Sequence, residues 1–209
     1  MTITIFGATG MVGKQLVSQA LHDGHIVRAF GRNVFTAGFR ENEKLHMIQG
    51  ALFDDSQVNK AISGCDAILS ALGGAFDGSD KSRSLGMKHI VGQMQKSRTK
   101  RIIAVGGKGV LDSGNGEMIM EDPAYPRQYI PVGIEHFKAF EFLKGSGLEW
   151  TFVCAPDLVD AEATGLFHTA AEMLPSPNHD RINTGDLALF MLKELKQNEY
   201  IRHRVGISN

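Results

Sequence analysis

Three glycines, Gly7, Gly10 and Gly13, follow an apolar run, Thr2–Phe6, and open an amphipathic segment expected to be helical over Val12–Asp23. No other feature constrains the chain as strongly. In a strand-to-helix turn of this kind the first glycine permits the tight turn. The second lets the backbone approach a bound group, and the third lets helix and strand pack closely. The helix start offers unpaired N–H groups and the positive end of its dipole, which suits an anion. The pattern GxxGxxG in this setting points to the pyrophosphate of a dinucleotide. Gly13-Lys14 overlaps a second phosphate motif, the P-loop, but that motif needs glycine where Ala8 stands and Ser or Thr where Gln15 stands. Nucleoside triphosphate hydrolysis is therefore not expected, and Lys14 reads as a solvated helix residue.

Downstream of the turn, short apolar runs alternate with amphipathic segments, the signature of a parallel sheet. Strands are expected at Ile26–Phe30, Leu45–Gln49, Ala67–Ala71, Arg101–Val105, Trp150–Ala155 and Arg204–Ile207. Helices are expected at Ser56–Ser63, capped by Asp55 or Ser56, and at Ser82–Lys96, with Leu85, Ile90, Val91 and Met94 as its apolar set. Two more are expected at Pro131–Lys144 and Asp186–Lys196. The implied architecture is α/β: a single Rossmann-type, doubly wound parallel sheet with helices on both faces, one domain over residues 1–209. Two long segments, about 106–130 and 156–180, read as irregular. Both follow strands, at the sheet edge where open α/β folds bind ligands.

Bulk properties narrow the partners. The 22 Lys and Arg residues balance 23 Asp and Glu, for a net charge of −1, so no overall basic field favours nucleic acid. No apolar stretch approaches the roughly 20 residues of a membrane helix, and no basic segment precedes Thr2–Phe6 as in a signal peptide. A cytoplasmic protein without membrane or nucleic-acid partners is expected. Cys65 and Cys154 each sit in or beside an apolar segment and read as buried free thiols. His22 and His25 flank the helix-ending Gly24 and are not expected to form a metal site.

Cofactor choice is read at the end of the second strand, where an acidic residue serves the ribose of NAD and an arginine the 2′-phosphate of NADP. The chain reads Phe30-Gly31-Arg32-Asn33, with no Asp or Glu before Glu41. Arg32 is the candidate phosphate clamp, with Arg40 second, because a guanidinium can donate paired hydrogen bonds to phosphate oxygens. NADP(H) is the expected cofactor, with NAD(H) the alternative.

Further segments carry a family likeness. They are Ile5-Phe6-Gly7-Ala8-Thr9-Gly10, Asp66-Ala67-Ile68 with Leu72-Gly73, Glu135-His136-Phe137, Leu143–Trp150, and Arg181-Ile182 with Asp186-Leu187 and Phe190-Met191-Leu192. The chain resembles the atypical short-chain dehydrogenase/reductase family, and within it the NADPH-dependent flavin and biliverdin reductases, over nearly its whole length. The resemblance implies phosphate contacts at Thr9, Gly10, Met11 and Val12 and a ribose-phosphate contact at Arg32. It also implies an adenine contact at Ala51-Leu52, further contacts at Ala71, Leu72, Gly73, Gly106 and Gly107, and a nicotinamide neighbourhood at Pro156, Asp157 and Leu158.

The chain departs from the usual dehydrogenase proton relay of tyrosine, lysine and serine. Alignment puts Val132 at the tyrosine, His136 at the lysine, and Gly106 or Gly107 at the serine. The flavin and biliverdin reductases share the histidine but keep a serine after the fifth strand. His136 is the candidate for binding the nicotinamide ribose or supplying a proton, since imidazole titrates near neutral pH. Lys138 reads as solvent-facing; Tyr125 and Tyr129 are within reach of the cleft, with surface packing the first expectation; Met118 and Met120 either line the substrate side or simply pack. The expected activity is NADPH-dependent reduction of a flat conjugated acceptor: a flavin, a quinone or a linear tetrapyrrole. The alternative is an NADP(H)-binding redox sensor that regulates a partner, as NmrA-like relatives do. A sugar-nucleotide epimerase fits poorly without the tyrosine. Oligomeric state stays open, with a monomer compatible with the likeness and an oligomer equally allowed.

Overall fold

The computed structural model describes residues 1–209. Strand β1 (Thr2–Phe6) leads into helix α1 (Met11–His22), which ends before Gly24, a residue at φ +81° that continues no helix. Strands β2 (Ile26–Gly31) and β3 (Leu45–Gln49), helix α2 (Asp55–Ile62) and strand β4 (Ala67–Ser70) follow. The cap of α2 is Asp54, one residue before those expected. Its backbone is extended, and its carboxylate accepts the N–H groups of Ser56 and Gln57, while Asp55 already belongs to the helix. Next come helix α3 (Ser84–Gln95), strand β5 (Arg101–Gly107), helix α4 (Ile130–Lys144) with Pro131 in its first turn, and strand β6 (Glu149–Ala155). The chain closes with β7 (Asp157–Val159), β8 (His168–Ala171), β9 (Arg181–Asn183), helix α5 (Thr184–Gln197) and β10 (His203–Ser208).

The main sheet has the order β3-β2-β1-β4-β5-β6-β10-β8, parallel except for β8, which pairs antiparallel with β10. Alternate strand residues feed two cores, as the period of two requires. Ile3 and Ile5 of β1, Leu69 of β4 and Ile103 of β5 pack with α1 and α5. Phe6, Ile68, Ile102 and Phe152 pack on the other face with α2, α3 and α4. This is the doubly wound arrangement that the alternation of elements implies. Between the strands and α5, Arg101 meets Glu194 at 2.7 Å, both side chains almost fully buried. Cys65 and Cys154 are both buried and free. No helix is long and apolar enough to cross a membrane.

Three sequence expectations change. Residues 156–180 are not wholly irregular, because β7 pairs with β9 in a small second sheet and β8 covers the edge of β10. Neither short strand alternates polar and apolar residues, so each exists through its partner's backbone and not through its own pattern. Second, Leu85 is 41% exposed, and the buried face of α3 is Met87, Ile90, Val91 and Met94. Gly86 instead gives close approach there, since a Cβ would stand 2.4 Å from a methyl carbon of Leu52. Third, β5 runs on through Gly107, which carries Gly106 and Gly107 to the carboxyl edge as sheet residues.

Candidate functional site

The structure separates the three turn glycines by what each one needs. Gly7 has φ +75°, and a Cβ there would lie 2.3 Å from the Ala71 carbonyl oxygen. A Cβ on Gly13 would lie 2.0 Å from the Gly7 carbonyl oxygen. Both are therefore dictated by folding. Gly10 is not, because its φ of −78° and ψ of 173° suit any residue and a Cβ would meet only Gly7 O at 3.5 Å. Its missing side chain leaves space in front of α1. No side chain caps that helix and no acidic residue stands in its first turn, so its first N–H groups face this space without intrahelical partners. A small cradle ringed by N–H donors is what a pyrophosphate requires.

That cradle opens into a cleft of about 1290 Å³ at the carboxyl ends of the parallel strands. Most of the residues expected from sequence meet there: Gly7, Thr9, Gly10, Met11 and Val12 from the first turn, Arg32 after β2, Ala51 and Leu52 after β3, and Ala71, Leu72 and Gly73 after β4. Gly106 and Gly107 of β5, His136 of α4, and Pro156 and Leu158 after β6 complete the set. Arg32 is exposed and its guanidinium has no partner in the protein. Only its carbonyl is engaged, accepting from Gln49 Nε2 at 2.9 Å. Arg40 lies elsewhere, in a shallow hollow beside Glu41 and Glu43, so the second clamp candidate is not at the cleft.

At the other end, the His136 ring lies against Gly107, where a Cβ would come within 2.8 Å of Cδ2 and 3.2 Å of Nε2. The tyrosine position holds Val132, 6% exposed. Nδ1 of His136 is buried without a partner. Burial, reinforced by the charge of Arg83 and opposed by Glu135, pushes His136 down to about 3. The expectation that this imidazole titrates near neutral pH is therefore corrected: it is neutral there, and acts as one hydrogen-bond donor and one acceptor, not as a cationic acid. Beside it, buried Glu135 accepts from the Ser84 hydroxyl and Lys81 Nζ, the latter at 3.0 Å. Exposed Lys138 joins this carboxylate at 3.5 Å.

Other assignments also shift. Tyr125 and Tyr129, expected to pack on the surface, both line the cleft. Burial pushes the Tyr125 phenol up, with Tyr129, Asp157 and Asp180 adding to the shift. Met118 and Met120 do not line it. Met118 packs against the core, and Met120 sits over Gly133 and Gly109. Phe53, Phe76 and Arg83 line the cleft without having been singled out from sequence, and Lys108 joins them. Phe53 and Phe76 look like ordinary loop residues in one dimension, and Arg83 like a surface charge at a helix start.

These residues fit a nicotinamide dinucleotide: an uncapped helix start beside the bare Gly10, a free guanidinium beyond β2, and a half-buried imidazole with an unmet nitrogen. Comparison with known proteins agrees. The curated Bacillus subtilis (strain 168) protein YwnB, itself uncharacterised, is 24% identical over 214 residues, covering 99% of this chain and 98% of that protein. A Burkholderia pseudomallei structure described as "putative exported protein" superposes with a TM-score of 0.86 at 28% identity over 100% of both chains. A Streptococcus pneumoniae TIGR4 structure described as a "putative NADH-flavin reductase" has a TM-score of 0.85 at 24% identity, covering 100% of this chain and 99% of that one, and speaks for the fold. A family model described as NAD(P)H-binding matches residues 7–198, and the chain belongs to that NAD(P)H-binding family.

Proposed function

We propose that this protein is an NADPH-dependent reductase of a flat conjugated acceptor such as a flavin, a quinone or a linear tetrapyrrole. The observation that carries the reading is the continuity of the cleft. One end offers the phosphate cradle and the unpaired Arg32; the other is walled by Val132, Leu158, Tyr125, Tyr129 and an exposed Phe76. The bound dihydronicotinamide supplies hydride. The chain's own part is binding and orientation. Thr9, Gly10, Met11 and Val12 hold the phosphates, Arg32 the 2′-phosphate, and neutral His136 a ribose hydroxyl. Ala71, Leu72 and Gly73 with Gly106 and Gly107 supply flat backbone beside the dinucleotide, and Ala51 and Leu52 border its adenine. Without tyrosine at Val132 and with His136 uncharged, the acceptor's second hydrogen comes from water.

The test is NADPH oxidation by the purified protein with saturating FMN, riboflavin, quinones and biliverdin. Turnover above buffer with at least one is expected, and its absence with all of them overturns the reading. The same loss of the proton relay favours a second reading, an NADP(H) sensor that regulates a partner. A marked preference for one redox form of the cofactor, no turnover and a specific bound protein would establish it instead.

A further inference from the structure

Arg83, just before α3, is a buried cation with no carboxylate partner. It lines the cleft and is 7% exposed. Nη1 donates to the Ala75 carbonyl at 3.1 Å and Nη2 to the Gly74 carbonyl at 3.0 Å. Nε is buried and donates to nothing. The two nearest carboxylates act on it only through space, since Asp80 accepts from the backbone of Ser82 and Glu135 is taken by Ser84, Lys81 and Lys138. Burying a charge without a partner is costly, and two carbonyl dipoles are a partial remedy.

Its place in the cleft narrows what the charge is for. The segment after β4 starts against Gly7 at the phosphate cradle, where Ala71 touches it. It ends against α4, where a Cβ on Gly78 would stand 3.1 Å from Pro131. Arg83 belongs to the α4 end. Its guanidinium carbon is 5.7 Å from the centre of the Phe76 ring, which is 65% exposed and free to stack on a flat ligand. Its charge also reaches His136. The region thus has a fixed cation, an exposed aromatic face and no tyrosine at the usual relay position, which Val132 holds.

We propose that Arg83 is the anion-binding residue of the acceptor site, and that the cleft takes flat ligands whose ring system carries a negative charge or gains one on reduction. This rests on reading the α4 end as the acceptor's place. Hydride brings the ring two electrons and one hydrogen nucleus, so a neutral ring becomes an anion while the dinucleotide leaves oxidised. Arg83 neutralises that anion until water supplies the second proton. A buried, prealigned cation needs no reorganisation as the charge appears.

Lawsone and its O-methyl ether are matched probes: the same naphthoquinone ring, one an enolate anion at neutral pH, the other neutral. Calorimetric binding to the NADP⁺-saturated protein reads the charge without requiring turnover. Wild type is expected to favour lawsone, and Arg83→Gln to lower that preference roughly 10- to 100-fold with the ether little changed. Arg83→Lys loses the two carbonyl bonds but keeps the charge, and should retain most of the preference. If Arg83→Gln does not fold, wild type and Arg83→Lys still decide. No preference for lawsone in wild type overturns the proposal. So does a preference lost in Arg83→Lys, which keeps the charge, or one left intact in Arg83→Gln through equal weakening of both probes, which would make Arg83 a loop fastener only. Binding of neither probe overturns the acceptor site as well. A lawsone preference carried by Arg83 in a protein that oxidises NADPH with no acceptor supports the anion site and defeats only the reductase reading.

Discussion

Replacing Gly10 with alanine is expected to leave the fold standing and weaken the cofactor. Its backbone angles are open to alanine, and the added Cβ makes one ordinary contact, 3.5 Å to Gly7 O. Alanine is a poorer N-cap than glycine, by about 0.5–1 kcal/mol. It also removes freedom from the unfolded chain, worth about 0.4–1 kcal/mol in the other direction. The two nearly cancel, so stability stays within about 1 kcal/mol and the melting temperature within roughly 2–4 °C. The same methyl group intrudes where the pyrophosphate must approach α1. An overpacking penalty of about 1–3 kcal/mol corresponds to roughly 5- to 150-fold weaker NADPH binding.

Thermal melts read both effects. NADPH at 100 times its dissociation constant adds about 2.7 kcal/mol to the wild type, a rise of roughly 5–11 °C, and the variant should keep only part of it. Gly13→Ala is the contrasting case. Its Cβ would fall 2.0 Å from Gly7 O and 2.7 Å from Ala8 Cα, so α1 must move and about 3 kcal/mol or more of stability should go. Wild-type NADPH affinity in Gly10→Ala would refute the placement of the pyrophosphate. A melting temperature as low as that of Gly13→Ala would show that Gly10 serves folding instead.

Arg32→Ala should weaken NADPH roughly 10- to 100-fold and leave NADH binding and stability unchanged, because the side chain has no partner in the protein; an equal loss for both cofactors in fluorescence titrations would contradict the clamp. His136 gives a stability slope with pH. Above about pH 6.5 it is neutral folded and unfolded, but as pH falls the unfolded chain takes a proton that the native site refuses until about 3. Stability should therefore drop by up to about 1.4 kcal/mol per pH unit in that window, and His136→Asn should flatten this share of the slope in urea titrations from pH 6.5 to 5; an unchanged slope would contradict a neutral imidazole. Glu194→Gln leaves Arg101 buried without its counter-charge and should cost about 3–5 kcal/mol by urea denaturation. A loss below about 1 kcal/mol would mean that water reaches the pair.

What a reader of the one-dimensional chain could find depended on local rules. The turn Gly7–Gly13, the helix-stopping Gly24 and the two-sided strands declare themselves because steric limits on backbone angles and side-chain period act between near neighbours. The strand ends that converge on the cleft follow from them, since a doubly wound parallel sheet gathers the residues after its strands at one edge. Family likeness located Ala51, Pro156 and Leu158, whose own identities carry no chemical signal.

Tertiary structure decided the rest, wherever an outcome is a sum over distant partners. The strands β7 and β8 form because β9 and β10 offer backbone groups to pair with. Imidazole chemistry alone suggests a group that titrates near neutrality, and only the closure of α4 over Gly107, with Arg83 nearby, takes His136 far below that range. Arg83 itself is an ordinary charged residue in the sequence and a desolvated, half-satisfied cation in the fold. Sequence by itself determined the sheet, the turn and the dinucleotide end, because those rest on backbone geometry. The environment of the α4 end of the cleft came only from the fold, because desolvation and through-space charge depend on residues that the chain keeps far apart.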